Sequence, residues 1–402
     1  MHSLQAKKWK RMQRVLKQSP FYKNMVQAET PFSAYPVMNK ALHMGNFDSI
    51  NTVGLKRDIA QEVAVKAENS RDFSPTINNV TVGLSSGTSG NRGIFIASEI
   101  ERAHWVAAVL DKVLGFSFKK RSIAFFLRAN SNLYESVKSK LLRFEFFDLM
   151  KDLDEHIERL NKLNPNILVA QPSMLLELAN RVKLGNLSIS PDKIVSVAEV
   201  LYPEDKKILE SVFGQTIHQV YQCTEGFLAS TCEYGTLHFH EDFLIIEKKY
   251  LDDEKLRFHP IITDLERSSQ PFIRYELNDI VHEKRNCACK SKMTGIEKIE
   301  GRSDDMLEFM ATNGQPVKIF PDFFRRAIIL ASDGINDYCL IQTSTDNLSL
   351  YTSGSNTEFE AAKIQIQQLL KTYKVERIAI NRIFTNELIK GNKLRRIRNA
   401  NR

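Results

Sequence analysis

The chain has 402 residues, more than one hydrophobic core usually serves, so two or more domains are expected. At 43% hydrophobic and 26% charged it has the balance of an ordinary globular protein, and it contains no run of about 18 apolar residues able to span a bilayer. Its net charge of +8, from 56 Lys and Arg against 48 Asp and Glu, is shared between both ends. Acidic stretches such as "DLDEHIE" lie between those ends and no helix-turn-helix or RNA-binding signature is present, so neither nucleic acid nor membrane is expected as a partner.

Seven Lys or Arg precede the first acidic residue, Glu29. They read either as a basic targeting segment or as one face of an amphipathic helix. Trp9, Met12 and Leu16 recur at helical spacing, which favours a helix docked on the domain. The N-terminus also lacks an apolar signal run, so a cytoplasmic location is expected.

Residues 85–93, "SSGTSGNRG", place three glycines and four hydroxyl side chains in nine positions. Such a cluster is either a surface turn or a phosphate cradle, in which glycines admit close backbone N–H groups and hydroxyls add donors. Apolar strand patterns flank it in "INNVTVGLSSGTSGNRGIFIAS", which makes it a hairpin-like connection. It is no Walker loop, since Arg92 stands where Lys would and Ile94 begins a strand rather than a helix; the Rossmann glycine spacing fails as well.

Downstream the pattern alternates. "RSIAFFL" (121–127), "NILVA" (166–170), "KIVSVAEVL" (193–201) and "IHQVYQC" (217–223) read as strands, while "LDEHIERLNKL" (153–163), "SMLLELANRVK" (173–183) and "PEDKKILESVF" (203–213) read as helices. That succession predicts an α/β fold with a parallel or mixed sheet covered by helices, whose ligands sit at the strands' carboxyl ends. From about Leu237 to Lys284 shorter strands suggest a β-rich subdomain. After "GRSDDML" the pattern restarts with "DYCLIQTS", "LSLYTS", a long helix in "FEAAKIQIQQLLKTY" and "RIAINRIF". A small α+β domain of about a hundred residues is expected there, giving a division into residues 1–302 and 303–402.

The five cysteines are read as reduced thiols. "ASTCEYGTLHFH" and "EKRNCACKSK" supply Cys232, His238, Cys287 and Cys289, three thiols and an imidazole that suit tetrahedral zinc, with His240 as the alternative imidazole two residues on. The competing reading is three surface thiols and a surface histidine. Cys223 and Cys339 read as core or pocket residues.

In chain order the glycine loop, "VSVAEVL" at 195, "VYQCTEG" at 220, "TDLERSSQPFIRYELNDIV" at 263, "IEGRSDDML" at 299 and "KGNKLRRIR" at 390 together resemble the acyl-adenylate-forming, AMP-forming ligases. Within them the chain is most similar to the branch of phenylacetate-CoA ligase and the deazaflavin-coenzyme (coenzyme F390) synthetases; "SPFYKN", "YPVMNK" and "LHFHEDF" also look like that branch. The resemblance implies a large N-terminal adenylation domain and a small mobile lid. It implies that Ser85, Ser86, Gly87, Thr88, Ser89 and Gly90 hold the β- and γ-phosphates of ATP, that Thr224 touches phosphate and Glu225 holds Mg²⁺, and that Tyr221 lies in the nucleotide site. Asp279 would accept the ribose hydroxyls, Arg302 would reach ribose or phosphate, and Glu199 would lie against adenine. Asp304 matches the hinge and Lys393 the catalytic lysine of the lid. Some members of the branch carry a metal at positions matching the Cys/His set.

Two departures stand out, the first bearing on the nucleotide and the second on the substrate. Arg92 and Gly93 end the glycine loop where the wider superfamily has Lys, and Gln222 follows Tyr221 where the family favours Gly. Gln222 and Cys223 fall where relatives line the acyl pocket, and the Gln222 side chain narrows or polarises it. The expected activity is ATP-dependent activation of an organic, possibly aromatic, carboxylate to an acyl adenylate, with transfer of the acyl group to CoA or a carrier-protein pantetheine. Transfer of AMP to a hydroxyl, and an inactive zinc-stabilised binding protein, are the alternatives. Taken alone, "KGNKLRRIR" reads as a basic surface tail.

Overall fold

The computed structural model describes residues 3–70, 72, 76–85, 93–115, 119–127, 141–149, 151, 153–302, 306–319, 321–332, 334–335, 337–384 and 396–400; the side chains of Glu68, Arg302, Asp322 and Arg326 are not among the described ones. The chain divides into two compact units. The larger takes most of the residues up to Lys298, and the smaller takes Ile299 onward together with Asn278–Val281. Among the described residues no helix is long and apolar enough to cross a membrane.

The N-terminal segment forms helix α1 (Ser3–Leu16). Trp9, Met12 and Leu16 are all buried, as their spacing requires. The same face buries Gln5, whose amide donates to the carbonyls of Glu241 and Leu244 at 3.0 and 2.8 Å. On its polar side Lys8 and Arg11 pair with Glu266. The basic N-terminus is therefore a docked helix of the larger unit. Short helical turns between Lys23 and Ile50 lead to α2 (Arg57–Ser70), which packs on a three-stranded sheet of β1 (Thr76–Ile77), β2 (Val80–Leu84) and β3 (Ile94–Ala97). β2 and β3 pair antiparallel with Leu84 opposite Ile94, so the glycine loop hangs from a hairpin. Gly83 lets the Phe95 ring lie against the backbone, since a Cβ there would sit 2.3 Å from it.

After α3 (Glu99–Val109) comes the main sheet. Its parallel part consists of β4 (Arg121–Leu127), β5 (Leu142–Asp148), β6 (Ile167–Ala170), β7 (Lys193–Ser196) and β8 (Ile217–Cys223). Helices α4 (Asp154–Leu163), α5 (Pro172–Lys183) and α6 (Pro203–Phe213) alternate with these strands, as the periodicity predicts. β6, "ILVA", is buried at every position, the mark of a strand covered on both faces. β5 has no counterpart among the expected strands.

An antiparallel part continues the sheet: β9 (Gly226–Thr231), β10 (Leu237–Phe239), β11 (Leu244–Tyr250), β12 (Arg257–Asp264), β13 (Tyr275–Glu276), β14 (Asp279–Lys284) and β15 (Gly295–Arg302). The order across the twelve-stranded sheet is β11-β12-β14-β15-β10-β9-β8-β7-β6-β4-β5, with β13 beside β12. The α/β class and the helix-covered mixed sheet follow from this arrangement, and the β-rich stretch is an extension of the same sheet.

The smaller unit holds the hairpin of β16 (Leu307–Met310) and β17 (Pro316–Ile319), and a four-stranded sheet of β18 (Tyr338–Ser344), β19 (Asn347–Thr352), β20 (Ala379–Arg382) and β21 (Ile397–Asn399). Helices α7 (Pro321–Ile329) and α8 (Asn356–Thr372) cover it over a core that includes Phe309, Phe324, Leu340 and Ile366. The last three residues of "KGNKLRRIR" are not a surface tail: Leu340 pairs with Ile397 of β21, and Arg396 is buried with its guanidinium on Asp337, while residues 390–395 lie outside the described ones.

Candidate active site

The stretch "VYQCTEG" becomes β8, a two-residue turn and the start of β9, with Cys223 opposite Gly226. Thr224 and Glu225 occupy the turn at the carboxyl end of the last parallel strand, where open α/β sheets place their ligands. The Thr224 hydroxyl donates to Glu225 Oε2 at 2.8 Å, and the Tyr275 phenol donates to Oε1 at 3.0 Å. Burial pushes the Glu225 carboxyl upward, but hydrogen bonds from Thr224, Cys223, its own backbone N–H and Tyr275 outweigh it and hold the group below the ordinary carboxylate range. The result is an ionised, oriented carboxylate, suited to a hard cation.

Arg267 supports the turn from beneath. Its guanidinium donates to the carbonyls of Thr224 and Ile96 at 3.3 and 3.1 Å and faces the buried Glu101 at 3.9 Å. Glu101 closes a capping box with Ser98 at the start of α3, and its carboxylate accepts the backbone N–H groups of Ser268 and Ser269 at 2.7 and 3.0 Å. The loop after β12 is thereby locked to a helix terminus. At the end of β12, burial pushes the Asp264 carboxyl up to about 6, against the pull of Arg267 and the Glu266 N–H.

The neck of the glycine loop is closed by two 2.7 Å hydrogen bonds, Ser85 N–H to the Gly93 carbonyl and Gly93 N–H to Ser85 Oγ. Ser86, Gly87, Thr88, Ser89 and Gly90 lie outside the described residues, as do Arg92, Asp304, Lys390 and Lys393. Glu199 follows Ala198, which holds a left-handed φ of 69°, uncommon away from glycine. The Glu199 carboxylate accepts from the Ser173 hydroxyl at 2.9 Å at the start of α5, a structural use the sequence did not indicate. Tyr221 is buried within β8, Asp279 opens β14, and Arg302 ends β15. Asp279 and Arg302 both fall in the smaller unit.

No family model matches the chain. Indoleacetate–lysine synthetase of Pseudomonas savastanoi is 27% identical over 237 residues, 53% of this chain; the match spans 56% of that protein's length. Among solved structures, 2-hydroxyisobutyryl-CoA ligase in the postadenylation state, in complex with R3-HIB-AMP, matches with a TM-score of 0.68 and 16% identity over 98% of this chain and 89% of that chain. Amide bond synthetase McbA from Marinactinospora thermotolerans matches with a TM-score of 0.54 and 11% identity over 77% and 66%. The chain has the fold of the adenylate-forming ligases.

On this ligase fold the β-rich edge carries a second cluster. Cys232, His238, Cys287 and Cys289 bring their ligand atoms within 4.8 Å of one another. Sγ of Cys232 and Cys287 are 3.7 Å apart, and Cys289 Sγ lies 3.3 Å from His238 Nε2. Zinc–sulfur bonds of about 2.3 Å at tetrahedral angles put thiolates roughly 3.8 Å apart, which the Cys232–Cys287 separation matches. His238 Nδ1 donates to the Met293 carbonyl at 3.1 Å, which turns Nε2 toward the thiols. Hydrogen bonding, first from Thr236, draws the Cys287 thiol down to about 6 despite the opposing effect of burial. His240 is not part of this set. β10 ends at Phe239, and the His240 ring turns instead to Phe227, at 4.4 Å.

Tyr275, Arg267 and Glu101 were not singled out from the sequence. The capping box "SEIE" and the "SQPFIRYE" segment were the available signals. Cys339 is buried and Cys223 half-buried, in keeping with core and pocket positions.

Proposed function

We propose that this chain is an ATP-dependent enzyme in which a carboxylic acid attacks the α-phosphate of ATP, pyrophosphate leaves, and an acyl adenylate forms. The observation that carries the reading is the Glu225 carboxylate, held ionised by Thr224 and Tyr275 at the carboxyl end of β8 on an adenylate-forming ligase fold. Glu225 is the residue that would hold Mg²⁺, which when bound neutralises phosphate charge. The loop Ser85–Gly90, Thr224, Asp279, Arg302 and Lys393 would bind and orient the nucleotide, with Tyr221 and the Ala198–Glu199 turn beside the base. Attack of one anion on another needs such convergent positive charge and donors. Asp304 would be the hinge between residues 1–302 and the lid of residues 303–402.

The acceptor that displaces AMP is a thiol, CoA or a carrier-protein pantetheine, in the reading favoured by the CoA ligase match over nearly the whole chain. A second reading, an amine acceptor, is favoured by the indoleacetate–lysine synthetase match and the amide bond synthetase. The branch resembling phenylacetate-CoA ligase supplies the aromatic acid. A structural zinc in the Cys232, His238, Cys287, Cys289 site completes the proposal.

The test is ATP–pyrophosphate exchange across aryl, arylacetic, indoleacetic and short hydroxy acids, followed by mass measurement of products with CoA or lysine added. Acid-dependent exchange with a thioester product bears out the first reading, and an amide product the second. AMP found on a hydroxyl acceptor points to an adenylyltransferase. The absence of exchange with every acid would leave a binding protein on a ligase scaffold.

A further inference from the structure

Next to the Thr224–Glu225 turn, Gln222 belongs to a set of polar atoms apart from the Glu225 carboxylate. Trp105 on α3 donates its indole N–H to Oε1 of Gln222 at 3.2 Å. That bond orients the carboxamide, and the Gln222 amide nitrogen makes no hydrogen bond among the described residues. Gln222 stands opposite Phe227 across the β8–β9 ladder, and the Phe227 ring lies 4.4 Å from that of His240. The His240 side chain is 2% exposed, and its Nε2 has no hydrogen-bond partner.

The apolar surround is incompletely closed. Val197, just past the carboxyl end of β7, and Val220, midway along β8, pack on the same cluster as Phe227 and Trp105 and are only half-buried. An aromatic and aliphatic lining with a few converging polar atoms is the usual make-up of a small-molecule site. A buried ring nitrogen left unpaired is costly unless function retains it.

We infer that Trp105, Gln222, Phe227 and His240 form the acid-binding recess, and that it selects an aromatic acid bearing an N–H or O–H group on its ring over a hydrocarbon acid of the same size. This rests on the proposed acid activation. The ring of the acid packs on Phe227 and the half-buried valines, its N–H or O–H donates to His240 Nε2, and the Gln222 amide donates to an acceptor on the same ligand. A hydrocarbon acid would desolvate both polar groups and pair neither, the condition under which sites discriminate most strongly. The Trp105 hydrogen bond makes Trp105 a positioning residue for Gln222.

The test uses the full chain and the 2-, 3- and 4-hydroxyphenylacetates against their methylphenylacetate counterparts, matched in size. Acid binding is measured by titration calorimetry without ATP, and KM and kcat by pyrophosphate exchange. At least one hydroxy acid is expected to bind tenfold or more tighter than its methyl partner. His240→Phe should remove that preference by weakening only the hydroxy acid, read as a rise in the Kd and KM of that acid alone. Gln222→Leu serves as an independent variant and should act in the same direction. Equal affinity of every pair, no binding by any acid, or equal weakening of both partners in the variants would overturn the inference. Selective binding without exchange would instead overturn acid activation while leaving the recess standing; exchange whose selectivity ignores His240 and Gln222 would do the reverse.

Discussion

The phenol of Tyr275 donates a 3.0 Å hydrogen bond to Glu225 across 50 residues of chain. It joins the segment "FIRYE" to the turn after β8, and with Thr224 it gives each oxygen of one carboxylate a donor, leaving lone pairs on both. That fixes the direction of the carboxylate and favours its charged form, the two properties a cation ligand needs.

If Glu225 holds Mg²⁺ as proposed, Glu225→Ala should lower Mg²⁺-dependent pyrophosphate exchange by about a hundred-fold or more with little change in thermal stability, because it removes the proposed ligand rather than an apolar core contact. Tyr275→Phe is the finer probe. Its hydrogen bond favours the ionised carboxylate, so losing it raises the Glu225 pKa, and the acid limb of the pH–activity profile should move to higher pH. An acid limb that stays in place in Tyr275→Phe would count against Glu225 as the titrating group.

Asp264 gives a prediction of opposite sign. Its folded-state pKa is lifted from 3.8 to about 6 by burial, so the fold favours the protonated form. Its unfavourable contribution is absent below about pH 4, grows as pH rises through the window up to about 6, and is complete above it, on the order of 3 kcal/mol. Asp264→Asn should therefore raise the melting temperature at pH 8 and by about half as much at pH 5. Melting curves at the two values decide it; a gain independent of pH would show that desolvation of the carboxylate is not the cause.

The purified protein should contain about one zinc per chain, since a four-ligand structural site closes tetrahedrally. Replacing Cys287 and Cys289 with Ser should remove the metal and lower thermal stability together, and chelation of the wild type should do the same. Metal analysis alongside melting curves checks this. Metal-free protein of undiminished stability would refute it.

Lys393→Ala should lower adenylation by about a hundred-fold, the usual loss for one electrostatic contact to charge developing in the transition state. Acyl transfer from a chemically supplied acyl adenylate should be nearly unaffected, since AMP leaves from a group already activated. The two half-reactions measured separately check this. If both fell together, Lys390 would be the next residue to substitute.

Local pattern was enough for much of the larger unit. Apolar runs such as "NILVA" and the amphipathic spacings of residues 153–163 and 173–183 report burial directly, because helix and strand periods are set within a few residues. The six ordered motifs likewise suggested the ligase fold that the solved structures share. Three things were not legible. β5 escaped because "LRFEFFD" mixes charges into an edge strand of the parallel part. His238 and His240 looked equivalent at a period of two, until β10 ended between them. The joining of Tyr275 to Glu225, Trp105 to Gln222 and Glu101 to Ser268 spans 50, 117 and 167 residues. Sequence alone specified those strands and helices that carry a clear hydrophobic period of their own. The order in which the strands lie side by side brings distant side chains within bonding distance, and that order depends on how whole faces bury one another, which no local window of residues contains.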